Sequence, residues 1–281
     1  MNNKTVLITG CSSGIGYSVA KGLQQRGYRV IATARKCEDV ERLNAEGLES
    51  LQLDLANTHS IVEAVDTVLE RTEGQIYALF NNGAYGQPGA VEDLTRETLR
   101  QQFEINLFGT QELTNLIIPV MREQGEGRII QNSSVLGIVS MPFRGAYNST
   151  KFALEALSDA MRHELHGSGV YVSLIEPGPI RSRFRDNAMS AFRQHIDSEG
   201  SFFKDIYQGV EARLEKTGDA APFTLDPEAV LQKVLHALEA RRPSTRYPVT
   251  LPTYLFAVLK RILPDRAMDF VLRKLAEREN R

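Results

Sequence analysis

Tyr147 and Lys151 stand four residues apart in AYNSTKFALEALSDAMRHEL, the stretch from Ala146 to Leu165. On a helix that spacing stacks a phenol one turn beneath an ammonium group. A free phenol loses its proton near pH 10, too high for easy exchange near neutrality. A cation one turn away favours the phenolate, so the pair reads as a proton-transfer device with a depressed tyrosine pKa. A shift of two or three units would ask about 3–4 kcal/mol of Lys151 and a bound ligand together. Ala153, Leu157, Ala160 and Met161 are the stripe expected to face the core, with the reactive pair beside it. Phe152 and Ala156 form a second apolar patch, which suggests a subunit contact and hence a homodimer or homotetramer.

A second chemical feature opens the chain. TVLITGCSSGIGYSVAKGL sets Gly10, Gly14 and Gly16, with Ser12, Ser13 and Ile15 among them, between a strand-like run and a helix. Glycine admits positive φ and close approach of a ligand to backbone. A helix starting near Gly14 directs free N–H groups and its positive dipole end at that space, which suits a pyrophosphate. The spacing is GxxxGxG rather than the GxGxxG of the usual dinucleotide fingerprint. An acid at the end of the second strand would bind both ribose hydroxyls and repel a 2′-phosphate. IATARKCED instead supplies Arg35 and Lys36, with no acid before Glu38, so NADP(H) is expected over NAD(H). Asp54, closing the third strand ahead of Leu55, is placed to reach the adenine edge.

These groups need a frame. TVLIT, YRVIAT, LESLQLD, IYALFNN, GRIIQNSS and VYVSLIE read as six strands, and RYPVT as a seventh. Helical patterns separate them: Tyr17 to Arg26, Cys37 to Ala45, Ser60 to Arg71, Glu97 to Arg122 and Tyr147 to His166. Such alternation implies βαβ units and a doubly wound parallel sheet, an α/β fold with helices on both faces. One domain over 1–281 is expected. The polar stretch 181–223 interrupts the alternation after the sixth strand, where a ligand would lie, and reads as a substrate loop or lid. Residues 250–281 form an amphipathic helical extension with Lys260, Arg261, Arg266, Arg273 and Lys274. Packing against protein is the favoured reading of that tail, and contact with a membrane surface the alternative.

Composition excludes little and bounds much. The 281 residues carry a formal net charge of −2, which gives no electrostatic case for nucleic acid as a partner. Cys11 and Cys37 cannot form a disulfide framework and read as small buried thiols. His163 and His166 are spaced HELH, without a second ligand cluster, so no metal is expected. MNNKTVLITG runs into a strand with no cleavable apolar leader, and YLFAVL is too short to span a bilayer; a cytoplasmic protein is expected.

In chain order, TGCSSGIG, NNGA at Asn81 to Ala84, IN at Ile105–Asn106, Ser133–Ser134, YNSTK and PGPIRS from Pro177 resemble the motifs of the short-chain dehydrogenase/reductase family. The resemblance spans about Lys4 to Pro248 and implies a Rossmann-type fold and a nicotinamide cofactor. In finer detail, GCSSGIG, RGAY and IEPGPIRSRF resemble a bacterial branch of aldehyde and carbonyl reductases, itself similar to hydroxysteroid and retinol dehydrogenases. Tyr147 would then protonate a carbonyl oxygen as hydride reaches its carbon. Ser134, thirteen residues earlier, corresponds to the catalytic serine; Ser133 is the neighbouring candidate, and the spacing favours Ser134. Lys151 would also hold the nicotinamide ribose, and Asn106 would anchor a water that links Lys151 to solvent. Asn81, Asn82 and Gly83 form the turn beside the cofactor, where this chain has GA in place of the family's AG. Pro177, Gly178, Ile180 and Ser182 correspond to the segment that contacts the carboxamide.

The resulting expectation is NADPH-dependent reduction of an apolar aldehyde or ketone. The pocket is expected to draw on Leu136, Val139, Met141, Phe143 and Phe184. An NAD-linked dehydrogenase of steroid- or retinol-like alcohols is the second reading, and a non-catalytic cofactor sensor the third.

Overall fold

The computed structural model describes residues 4–219 and 221–279. Seven strands form one parallel sheet: β1 (Thr5–Ile8), β2 (Arg29–Ala34), β3 (Glu49–Gln52), β4 (Ala78–Asn81), β5 (Gly127–Asn132), β6 (Val170–Glu176) and β7 (Arg246–Pro248). Their order is β3-β2-β1-β4-β5-β6-β7, so the winding reverses between β1 and β4. In such sheets the ligand crevice lies at that reversal, beyond the carboxyl ends of the strands.

Both faces of the sheet are covered because each strand buries alternate residues in opposite directions. Val6 and Ile8 of β1 pack on α1 (Gly14–Gln24), α2 (Cys37–Ala45) and α9 (Glu228–Glu239). Leu7 faces the other way, towards α3 (Thr58–Arg71), α5 (Thr110–Gln124) and α6 (Gly145–Glu164). The α/β fold and its seven parallel strands thus match the sequence expectation.

The stretch expected as one helix from Glu97 to Arg122 is built in three parts. α4 (Arg96–Phe103) passes through a π-helical segment, Glu104–Gly109, into α5. Such wide turns are seen mostly where a helix must re-aim a side chain, and here Asn106 lies within one. The core stripe of α6 also differs. Leu154, Ser158 and Met161 are buried together with Lys151 and Glu155, whereas Leu157 is 38% exposed and Ala160 faces solvent. Polar groups take the inward face because the site lies there, and the displaced Leu157 joins Phe152 on the outside.

Residues 181–223 are mostly helical, as α7 (Phe184–His195) and α8 (Lys204–Glu215). Phe192, Tyr207 and Val210 pack with Ala90, Leu94 and Ala146 in a cluster of their own. The tail forms two helices, α10 (Leu251–Ile262) and α11 (Asp265–Glu279), and its last two residues lie outside the described ones. Phe256, Met268, Leu272 and Ala276 cover Val139 and Met141. Those two residues are therefore core beneath the tail, not open pocket wall, and packing on protein is the outcome for the inner face of the tail. Cys11 is buried as expected; Cys37 is exposed, because it opens α2 at the surface. No described helix is long and apolar enough to cross a membrane.

Candidate active site

The turn after β1 is built from backbone contacts. Gly10 and Gly14 have φ of +70° and +60°, a region open to glycine and strained for other residues. A Cβ on Gly10 would lie 2.8 Å from Cα of Gly83, and one on Gly16 would lie 2.3 Å from the Gly10 carbonyl oxygen. Thr9 Oγ1 accepts from the N–H groups of Asn82 and Gly83 at 2.9 and 2.8 Å. Asn82 Nδ2 donates to the carbonyls of Thr9 and Gly10, and Asn132 Nδ2 donates to Asn82 Oδ1 at 2.9 Å. The loops after β1, β4 and β5 are thereby joined at one point. Ser13 caps α1 in extended conformation with no side-chain hydrogen bond, so its hydroxyl leaves the first N–H groups uncapped, as an anion site requires. Neither Gly83 nor Ala84 has positive φ, so the exchanged GA order brings no strain. Asn81 donates its amide to Thr114 Oγ1 at 2.8 Å inside the core, which turns that side chain away from the crevice.

At the end of β2, Arg35 and Lys36 are exposed, and among the described residues no acid pairs with either. Arg42, on α2, donates from Nη2 to the Ser12 carbonyl at 2.7 Å and pairs with Asp39 and Glu46. It pins the glycine turn to the helix that follows Arg35. Asp54 accepts from the N–H of Ala56 through Oδ1 at 3.0 Å. The backbone of Leu55 lies so close to Gly109 that a Cβ there would sit 1.8 Å from the Leu55 carbonyl.

Tyr147 and Lys151 share the first turns of α6, as their spacing requires. Lys151 Nζ lies 5.5 Å from the Tyr147 ring centre and donates to the carbonyl of Asn132 at 2.7 Å. Ser134 stands near enough to the Tyr147 phenol to favour its ionised form, and its Oγ accepts from the N–H of Leu136 at 3.1 Å. Ser133 turns the other way: a Cβ on Gly137 would meet both Ser133 Oγ, at 2.7 Å, and Glu155. The Tyr147 pKa stands well above its ordinary value, because burial outweighs the pull of the Ser134 hydrogen bond. Loss of hydration around the phenol is the stronger effect in the protein without its cofactor. Burial lowers Lys151 to about 8, partly opposed by the charge of Glu155.

Asn106 is buried in the π-helical segment. Its Oδ1 accepts from the N–H of Tyr85 at 3.1 Å and its Nδ2 donates to the Tyr85 carbonyl at 2.8 Å, fixing the loop after β4. The Phe184 ring stands edge-on to Tyr147 at 5.4 Å and lies over Gly86. After β6, the Pro177 carbonyl accepts from the N–H of Val135 at 2.8 Å. A Cβ on Gly178 would lie 2.1 Å from Thr250 Oγ1, while Ile180 pairs with Leu225 and Ser182 packs against Gly14. All the expected residues therefore come to the carboxyl end of the sheet except the Asn81 side chain. Sequence reading missed Thr9, Arg42, Asn132 and Glu155. Only Glu155 carried a signal, being four residues beyond Lys151.

The chain belongs to the short-chain dehydrogenase family, which its residues 4–191 match. It is 46% identical over 269 residues to YbbO, an uncharacterized oxidoreductase of Escherichia coli (strain K12), covering 96% of this chain and 94% of that one. It is 32% identical over 278 residues to the NADPH-dependent 3-dehydrocapnine reductase of Ornithobacterium rhinotracheale, covering 95% of each. A crystal structure of a short-chain dehydrogenase from Streptomyces avermitilis superposes with a TM-score of 0.77 at 28% identity, over 98% of this chain and 96% of that one. The protein is an oxidoreductase of this type, a class that uses a nicotinamide cofactor.

Proposed function

We propose that this oxidoreductase reduces an apolar aldehyde or ketone to the alcohol with NADPH. The observation that carries the reading is the convergence of Ser134, Tyr147 and Lys151, with Ser134 beside the phenol and Lys151 Nζ 5.5 Å from its ring centre. A nicotinamide cofactor, when bound, supplies hydride to the carbonyl carbon. Tyr147, kept protonated by its buried setting, donates its proton to the carbonyl oxygen as charge builds there. The Ser134 hydroxyl donates to the same oxygen, and the Lys151 ammonium stabilises the phenolate left behind. Asn106 holds the Tyr85 backbone beside them.

The residues fit such a cofactor. Gly10 and Gly14 take left-handed φ and Gly16 packs against the Gly10 carbonyl, so Ser12, Ser13, Gly14 and Ile15 bring bare main chain to the pyrophosphate. Arg35, aided by Lys36, reads the 2′-phosphate; Asp54 and Leu55 take the adenine; Asn82 and Gly83 line the ribose side. Pro177, Gly178, Ile180 and Ser182 face the carboxamide. Residues 181–223 act as the lid of a single-domain enzyme, with Phe184 as its first contact. The relative named as an NADPH-dependent reductase supports both cofactor and direction. Phe108, Leu116, Phe152 and Leu157 are each at least 36% exposed and form the face by which copies associate. On α10, Leu251, Leu255, Val258 and Ile262 point outward near Arg261, a face suited to a membrane surface in a cytoplasmic enzyme.

The test is cofactor consumption with decanal, comparing NADPH with NADH. Turnover with NADPH at least about tenfold above NADH is expected, and Arg35→Ala should remove most of that preference. A clear preference for NADH would sink the role given to Arg35. No turnover of decanal or of other apolar carbonyls would sink the reductase reading.

A further inference from the structure

We propose that Glu155 is a positioning residue of this site, the buried carboxylate one helical turn beyond Lys151 that keeps the ammonium charged beside Tyr147. The inference rests on reading Tyr147 and Lys151 as the proton-transfer pair. Tyr147, Lys151, Glu155 and Asp159 occupy successive turns of one face of α6. Lys151 and Glu155 are only 3% and 8% exposed, so little water separates their charges from each other's field.

Every element around Glu155 contributes a group. Lys151 and Asp159 flank it on α6, and Ser133 and Gly137 pack on it from the loop that presents Ser134. From β7, Arg246 donates through Nε to Glu155 Oε2 at 3.1 Å and through Nη2 to Asp159 Oδ2 at 2.7 Å. Glu176 of β6 lies 3.3 Å from the same Nε, and the charge of Arg261 on α10 reaches Glu176. Burial, and then the charge of Glu155, raise Glu176 to about 7, so it is a carboxylate where Lys151 titrates. Three carboxylates, Glu155, Asp159 and Glu176, then surround Arg246, and burial raises Glu155 as well, against the Ser133 hydrogen bond and the pull of Arg246. Asp159 has partners of its own in Arg162 and Arg246 and is two turns from Lys151. Glu155 is the acid whose charge acts on Lys151, against the burial that favours loss of its proton.

An ion pair that merely fastens β7 to α6 would leave the ionisation of Lys151 alone. The test follows that ionisation directly, by NMR of protein carrying 13Cε-labelled lysine, with Lys151→Met to assign the signal. The wild-type midpoint is expected near 8. Glu155→Gln should lower it by roughly one unit, because the group that favours the ammonium is gone. Asp159→Asn should leave it with the wild type. The alkaline limb of NADPH-driven carbonyl reduction should move down in parallel with the Glu155→Gln midpoint. A Glu155→Gln midpoint equal to that of the wild type, or an Asp159→Asn shift just as large, overturns the proposal. Should Glu155→Gln not fold, Glu155→Asp decides: its charge withdraws by one methylene, a smaller downward shift is expected, and no shift overturns it. A midpoint that moves in a protein that reduces no carbonyl retires the reductase reading and leaves the hold of Glu155 on Lys151 standing.

Discussion

Two loops at the carboxyl end of the sheet use left-handed backbone, and they are held in opposite ways. After β1, Gly10 and Gly14 take it with no side chain of their own, and the Gly83 main chain and Ser182 fill the space. Before α6, Phe143 takes it at φ +59°, where a residue with a Cβ is strained by about 1–2 kcal/mol. Its ring packs edge-on against Phe203 at 5.4 Å and Tyr207 at 6.1 Å, and its carbonyl accepts from the N–H of Gly89 at 3.0 Å. The difference follows from what each loop must do. The turn after β1, in its proposed role of cradling the pyrophosphate, needs bare backbone, so its geometry is fixed by absence of side chains. The loop that starts the Tyr147 helix needs only to be placed, and aromatic packing from α8 places it.

Breaking the first arrangement should have the largest effect. In Gly16→Ala the new methyl meets the Gly10 carbonyl oxygen and Asn82 Nδ2, which would lie 2.3 and 2.6 Å away. Both belong to the knot that joins the loops after β1, β4 and β5, so neither can yield without moving the others. NADPH affinity, read by nicotinamide fluorescence, should weaken by at least about tenfold, with turnover falling further. Unchanged affinity would mean that the turn does not hold the pyrophosphate.

The same contrast explains what the letters of the sequence revealed. The glycine turn, the seven strands and the Tyr147–Lys151 spacing depend on residues near one another in the chain, and local pattern is enough to read them. The aromatic hold on Phe143 depends on α8, some sixty residues away, and leaves no periodic mark. The core stripe of α6 misled for a related reason. Leu157 and Ala160 follow the helical period, yet Lys151, Glu155 and Ser158 claim the inward face, because the site and Arg246 lie on that side. Composition likewise could not reveal that Val139 and Met141 would be covered by α11, since that contact joins two segments with no shared pattern. Spacing shows the cation beside Tyr147 but not the partial burial of the phenol, which raises its pKa in the protein without cofactor.

A milder break of the second arrangement is Phe143→Ala, which keeps the strained backbone and removes the rings' contacts. A half-buried phenylalanine lost this way should destabilise the fold by about 2–3 kcal/mol in denaturant titrations. Phe143→Gly sharpens the comparison, since it loses the same contacts but relieves the backbone. It should therefore recover about 1 kcal/mol relative to the alanine variant. A glycine variant less stable than the alanine one would show that Phe143 is not strained, and the contrast with Gly10 would fail.

The smallest effect should come from the neck of the 181–223 segment. Arg181 pairs with Asp219 and Asp226 at 2.7 Å, an arrangement that looks like a clasp. All three side chains are substantially exposed, however, and exposed pairs are screened and contribute little. The neck is closed independently by main chain, through the Arg181 N–H to the Leu225 carbonyl at 3.0 Å and the Leu225 N–H to the Pro179 carbonyl at 3.2 Å. Arg181→Ala keeps both of those bonds. Its melting temperature and its KM for NADPH should match the wild type within measurement at physiological salt. A large loss of turnover would mean instead that surface charge, rather than the aromatic packing of α7 and α8, sets the position of the segment over Tyr147.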